Sequence, residues 1–278
     1  MIRPRLAAML APATAVFALL FVAPFAFLFV ISFWRVKTFK LRPDFTFDNY
    51  AETFTKYLEP LLFTVAIAAA IAALTTALAF AFAYVIRFKA GRYGNALLIV
   101  TLVTLFGGYL VKIYAWKTIL GTEGILNSAL LGLGIVREPL TIFIYNPGAV
   151  VVTLTHFLLP LAVLPIYGSL RGIREITLEA ARDLGAGPAR VFLDVILPQA
   201  LPGVTAAFAF CFLIAAGDYV TPRYVGGPYT SMIGDFIEGQ FSLKFDWPAG
   251  AAMSFSMLGA CLACVAVSRA LLGLVRPR

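Results

Sequence analysis

Few residues in this chain can do chemistry, and their types favour holding a charge over breaking a bond. Asp218 is an acid at the end of a long apolar stretch, followed directly by Tyr219. A carboxylate so placed is a functional candidate by default, because it is expensive to keep there. Tyr114 and Trp116 lie close to the end of another apolar stretch, and aromatic faces can hold a cation. The competing reading for these rings is the belt of Tyr and Trp that marks a membrane–water boundary. The one histidine, His156, falls inside an apolar stretch, where it either lines a path or hydrogen-bonds across a helix interface. Cys261 and Cys264 have redox or metal-pair spacing, but no second ligand pair exists, and with Cys211 they read as small hydrophobes. No stretch matches the phosphate-cradling pattern Gly-x-x-x-x-Gly-Lys-Ser/Thr, and no acid or histidine cluster has metal-ligand spacing. The chain therefore has no means of hydrolysing ATP and no metal site.

Apolar helices must position these groups. Hydrophobic residues make up 61% of the 278 and charged residues 13%, far from the balance of soluble domains. The net charge of +8 comes from basic residues scattered beside apolar spans, which marks a membrane interface and not a nucleic-acid surface. A hydrocarbon core about 30 Å thick takes roughly 20 helical residues. Six spans are read at 6–34, 61–86, 95 to 109 or slightly beyond, 146–170, 202–216 and 249–274. The first is too long for a signal-peptide core and is expected to stay in the mature protein, kinked at Pro24. Small residues in the second allow close helix packing. Gly107-Gly108 can loosen or kink the third, while Pro160 and Pro165 break the fourth. Lys112 and Lys117 belong at an interface or facing a watery cavity, since a lysine at the bilayer centre costs roughly 2.5–3.5 kcal/mol on insertion scales. Residues 35–59 read as an ordered loop with a short helix, and 121–138 as a loop with another. Met232, Ile233, Phe236, Ile237 and Phe241 recur at helical spacing and predict an amphipathic helix between the last two spans.

The most organised polar stretch lies between the fourth and fifth spans. Good helix formers run from about Arg171 to Leu184, Gly185 stands where a left-handed stop is wanted, and Pro188 suits the first turn of a second helix that Leu197-Pro198 would end or kink. Leu178, Ala181, Val191, Phe192 and Val195 form one face of this elbow. Arg174, Glu175, Arg182, Asp183 and Arg190 stay wet. Such a knob is either gripped by a soluble partner or lies on the headgroups as an ordinary loop.

Glu179-Ala180-Ala181, three residues, Gly185, nine residues, then Val195-x-Leu197-Pro198 resembles the loop signature of the membrane subunits of bacterial ABC importers, with Val195 where that family usually has Ile. The resemblance implies that Glu179, Ala180, Ala181, Arg182, Asp183, Gly185, Leu197 and Pro198 form a coupling helix and its flank, docking in a groove of a cytoplasmic ATPase. Further stretches are similar to the spermidine/putrescine branch of type I importers: Phe45-Thr46-Phe47-Asp48-Asn49-Tyr50, Lys112-Ile113-Tyr114-Ala115-Trp116, Gly124-Ile125-Leu126-Asn127, Gly226-Gly227-Pro228, Met232-Ile233-Gly234 and Asp246-Trp247-Pro248-Ala249-Gly250. That branch usually begins the second of these with Arg, so Lys112 keeps the charge and loses a bidentate fork.

The fold expected is all-α and polytopic: a type I ABC importer transmembrane domain of six helices with a cytoplasmic coupling-helix loop. It forms one transmembrane domain over 1–278, with a first helix and external loop at 1–60 and the permease core at 61–270. Membership implies a second homologous permease subunit, two cytoplasmic ATPase subunits that hold ATP and magnesium, and a periplasmic substrate-binding protein, with no cofactor in this chain. The expected place is the bacterial inner membrane with both termini cytoplasmic, Arg3 opening and Arg276 and Arg278 closing the chain there; Lys and Arg are only slightly in excess on that side, so the elbow decides the orientation. Asp218, Tyr219, Tyr114, Trp116 and His156 are the substrate-path residues, suited to a flexible polycation. Another ligand of such importers (ferric iron, an amino-acid derivative, an organic anion) is the alternative. A self-sufficient secondary transporter would call for an inverted repeat and intramembrane acids, which do not stand out.

Overall fold

The computed structural model describes residues 4–38 and 40–274; Arg3, Arg276 and Arg278 lie outside them. Helices dominate, and the chain groups into two compact units, residues 1–61 with 235–259 and residues 62–234 with 260–278. Among the described residues, five helices are long and apolar enough to cross a membrane: Met9–Ile31, Leu58–Phe88, Pro147–Arg171, Pro188–Ala216 and Trp247–Ala270. A bent pair, Gly91–Phe106 with Tyr109–Gly132, makes a sixth if counted as one span.

In the first unit, α1 (Pro4–Phe17) and α2 (Ala23–Ile31) are joined by a π-helical turn, Ala18–Val22. Pro24 has no N–H to give and its ring crowds the carbonyl four residues back. The wider turn absorbs both problems and keeps the rod continuous. Only 6% of this span's most apolar window is buried, against 56% for Pro147–Arg171, so its surface is left to lipid or a partner. After it comes a hairpin absent from the sequence reading, β1 (Arg35–Lys37) paired antiparallel with β2 (Lys40–Arg42). The expected short helix follows as α3 (Asp48–Lys56). Asn49 Nδ2 donates to the Ser32 and Trp34 carbonyls at 2.8 Å each, and Tyr50 shares a 2.8 Å hydrogen bond with Ser32 Oγ. Arg35 pairs with Asp48, so the Phe45–Tyr50 motif is the staple of this loop.

The second unit takes in most of α4 (Leu58–Phe88), then α5 (Gly94–Val103), α6 (Tyr109–Leu120), α7 (Ile125–Gly132), α8 (Pro147–Arg171), α9 (Glu175–Asp183), α10 (Pro188–Arg190) and α11 (Leu197–Ala216); α12 (Ile233–Ser242) and α13 (Trp247–Leu274) follow. Ala68, Ala72, Ala79 and Ala83 of α4 are fully buried, which is the close packing their size permits. Asn146 caps α8, its side chain accepting from the Ala149 N–H at 3.0 Å, with Pro147 in the first turn. Contrary to the reading above, Pro160 and Pro165 do not break α8, which runs unbroken for 25 residues. Packed neighbours re-satisfy the carbonyls that proline frees in a membrane helix. The fifth span also starts earlier than expected: α10, a π segment at Val191–Ile196 and α11 form one rod of 29 residues. Pro198 widens this rod instead of ending it, as Pro24 does. Gly107 and Gly108 adopt extended ψ values of 124° and 139°, and the third span bends there by 97°, the kink expected of the pair. The amphipathic helix appears as α12, with Met232 and Ile233 fully buried.

Within this unit α11 meets α8 at Gly203, where an added Cβ would run into the Pro165 carbonyl and Ser169 Oγ. Gly203→Val is expected to destabilise by about 1–3 kcal/mol or more, the range for overpacking against backbone. The thermal midpoint of the detergent-solubilised chain measures this. Gly259→Ala, with nothing within 4 Å of the new Cβ, should leave the midpoint close to wild type.

Candidate functional site

The elbow is built as a helix stop and a restart. Leu184 ends α9; the Gly185 N–H donates to the Arg182 carbonyl (2.8 Å) and the Ala186 N–H to the Ala181 carbonyl (3.0 Å). This is a Schellman motif, and Gly185 fills its left-handed position with φ of +85°. Gly187 is extended (φ −67°, ψ 166°) and Pro188 takes the first turn of the next rod. Leu178 and Val191 are buried, and Ala181, Phe192 and Val195 are half-buried, on the apolar face expected. Arg174, Glu175, Arg182, Asp183 and Arg190 are exposed.

Arg87, at the end of α4, reaches under the elbow. Its Nη2 donates to Glu175 Oε1 at 2.7 Å and to the Ile173 carbonyl at 3.3 Å. A pair this exposed contributes little stability, but it fixes the angle at which α9 leaves the membrane. A cavity of about 460 Å³, lined in part by Tyr84, Arg87, Leu178, Arg182 and Val191, opens beside it. On the outward side of α9, Ile176, Glu179, Ala180 and Asp183 form an exposed stripe one helical face wide, and Leu184 is 88% exposed.

The other candidate residues gather around α6. Tyr109, Lys112 and Trp116 share one face of that helix, at the spacing of neighbours three and four apart. Tyr109 Oη donates to Asp218 Oδ1 at 2.5 Å and lies 2.8 Å from Thr221 Oγ1. The same Oδ1 accepts from the N–H groups of Val220 (3.0 Å) and Thr221 (3.4 Å). Asp218 thus caps the turn that leads into the π segment Pro222–Gly226. It is 8% exposed, and its Oδ2 is buried with no hydrogen-bond partner among the described residues.

The Tyr109 ring packs on Phe157 of α8 at 4.7 Å, and the Lys112 ammonium lies 5.2 Å from that same ring. Lys112 is 9% exposed and its Nζ has no hydrogen-bond partner among the described residues. Its ammonium is thus packed against a ring instead of paired with an acid. Its Cε lies close to Gly107, 3.3 Å from where a Cβ would stand, so the stem folds back over the bend. Trp116 meets His156 edge-on at 5.6 Å, Tyr114 meets Tyr224 at 5.3 Å, and Tyr219 is exposed beneath the Arg223 guanidinium, 5.8 Å from its ring. Of the five path residues, then, only Asp218 is buried. Tyr109, Thr221, Phe157 and Tyr224 were missed in sequence; the seven-residue step from Tyr109 to Trp116 was the available signal.

Most remaining motif residues are structural. Gly124 is crowded by the Thr118 carbonyl, and Gly227, at φ +73°, by that of Tyr145. Asn127 is fully buried and clamps Leu140, giving Nδ2–H to its carbonyl (2.9 Å) and accepting its N–H (2.8 Å). Gly234 abuts Tyr219 Cβ, and Asp246 caps α13 through the Ala249 N–H at 3.1 Å.

Apolar spans joined by a polar elbow make this a helical membrane protein of several spans. Residues 95–278 match the family described as binding-protein-dependent transport system inner membrane component, and the chain belongs to that family. It is a non-catalytic, multi-pass inner-membrane permease of the ABC transporter class. Within the family it is 36% identical over 214 residues to the spermidine/putrescine transport system permease protein PotB of Escherichia coli K12, covering 77% of this chain and 78% of that one. PotB of Salmonella typhimurium SL1344 is likewise 36% identical over 214 residues, 77% and 74% of the two chains. Among solved structures, a bacterial alginate ABC transporter in complex with its alginate pentasaccharide-bound periplasmic protein superposes with a TM-score of 0.77 at 15% identity, over 97% of this chain and 94% of that one. At that identity the likeness is one of fold.

Proposed function

We propose that this chain is the permease subunit of an ATP-driven importer of polyamines, putrescine or spermidine. The observation that carries the reading is the 36% identity to PotB across three quarters of both chains. The energy enters at the α9 elbow: an ATPase grips the exposed stripe of Ile176, Glu179, Ala180 and Asp183 and moves it on binding ATP. Two such ATPases with their magnesium, a second permease and a periplasmic binding protein complete the machine. The elbow and both termini then lie in the cytosol. ATP binding must favour one of two permease conformations for this to do work.

Cargo chemistry fits the α6 cluster. Asp218 Oδ2 is a buried acceptor without a partner among the described residues, and Tyr114 and Trp116 offer ring faces for alkylammonium groups. The test is ligand binding to the periplasmic protein encoded beside this gene, followed by uptake into proteoliposomes holding the whole assembly. Putrescine or spermidine should bind and be taken up only with ATP. If that protein ignores both amines, the polyamine reading falls and the family stands.

A further inference from the structure

We infer that the hairpin after the first span is a binding site for the phosphate of an anionic phospholipid. Its register sets Arg35 opposite Arg42 and Lys37 opposite Lys40. Residues two apart on a strand share a face with their direct cross-strand partners. All four cations therefore stand on one side, with Val36 and Leu41 on the other. Like charges directly opposed destabilise a strand pair, and a lone two-stranded hairpin is marginal to begin with. The arrangement makes physical sense once an anion sits among the cations. Arg35 is already held by Asp48 and Thr46. Lys37, Thr38, Lys40 and Arg42, together with one acid, Asp44, line an open space of about 490 Å³.

Depth selects the anion. The Thr46 N–H donates to the Phe33 carbonyl at 2.7 Å, so both legs of the hairpin start level with a residue two past the end of the first span. At about 3.3 Å per residue no backbone atom of Lys37 stands more than roughly 13 Å above that level. The headgroup zone is itself about 5–8 Å deep on each side, and lysine stems are long enough to turn back into it. At the hairpin's foot, Phe45 (70% exposed) and Phe47 (64% exposed) pack on Phe33 at 5.0 and 5.4 Å. Bare rings there suit the membrane interface. Under a polar protein surface they would be out of place. Cations within reach of the headgroups above such a collar meet lipid phosphate first. The inference holds for either orientation of the chain and for any cargo.

The full-length chain, purified in detergent, is titrated separately with dioleoylphosphatidylglycerol, dioleoylphosphatidylcholine and inorganic phosphate, and bound ligand is counted by native mass spectrometry. Phosphatidylglycerol should be retained, phosphatidylcholine should not, and free phosphate should not displace the lipid. Each cation near an anionic surface contributes roughly fivefold, so Lys37→Gln/Lys40→Gln/Arg42→Gln should weaken retention on the order of a hundredfold and each single change about fivefold. Lys40→Arg should retain it. Equal retention by the triple variant or single variants, equal binding of phosphatidylcholine, or displacement by phosphate overturns the site. So does a transport defect of the triple variant that is as large in vesicles lacking anionic lipid, which would assign the cations to an acidic protein instead.

Discussion

Gly185→Val is expected to abolish ATP-driven uptake, by tenfold at the least, while the protein still inserts in the membrane and keeps its helical content. The reason is local. Gly185 sits at φ +85° with open space around the missing Cβ, so the substitution meets no neighbour; it meets its own backbone. A β-branched residue in that conformation costs about 1–3 kcal/mol, and the chain avoids it by giving up the left-handed turn. The two hydrogen bonds that close α9 at Arg182 and Ala181 then go, and α9 no longer leaves the elbow at its present angle. Asn tolerates the left-handed region, so Gly185→Asn should keep most of the activity. Uptake by the reconstituted importer, with ATPase co-purification as the second readout, decides it. Full transport with Val at this position would show that the geometry of the stop is irrelevant to coupling.

The second large effect is expected at Asp218, where two substitutions separate two roles. Asp218→Ala strands the Val220 and Thr221 N–H groups and leaves the Tyr109 hydroxyl with Thr221 Oγ1 alone. Unsatisfied buried donors cost about 1–3 kcal/mol each, so this variant should lose expression and thermal stability. In Asp218→Asn the amide oxygen can still accept all three bonds, while the charged acceptor at the Oδ2 position becomes a neutral amide NH2 donor. If that charge receives a substrate ammonium, the Asp218→Asn protein should fold at wild-type levels and lose more than tenfold in uptake, seen as a fall in maximal rate at saturating binding protein. Wild-type transport by the same variant would leave Asp218 a cap and nothing more.

Span positions were legible because runs of apolar residues leave little choice, and the elbow was legible because Gly185 and Pro188 punctuate it. What could not be seen follows from tertiary context. Proline reads as a breaker in sequence, yet Pro160, Pro165 and Pro198 stay within continuous helical rods, since neighbours and π turns absorb the missing donor. The hairpin has neither Asn-Gly nor Gly-Gly at its turn; Thr38, at φ +51°, supplies the unusual backbone instead. Two glycines announced a weak point in the third span, but its right-angled turn depends on how α6 packs against α8. For the α6 cluster, residue types were legible and the directions of the side chains were not. Exposure of Tyr114, Tyr219 and His156 alongside burial of Asp218 and Lys112 is a property of packing that no spacing rule contains.

The continuity of the rod from Pro188 to Ala216 has a mechanical consequence. At about 1.5 Å per residue its two arms about Gly203, the point pressed against α8, are each roughly 20 Å long. A stiff beam held near its middle is a lever of ratio close to one. A small tilt imposed at the elbow reappears at the far end with about the same amplitude and the opposite sense, and the far end stops two residues short of Asp218.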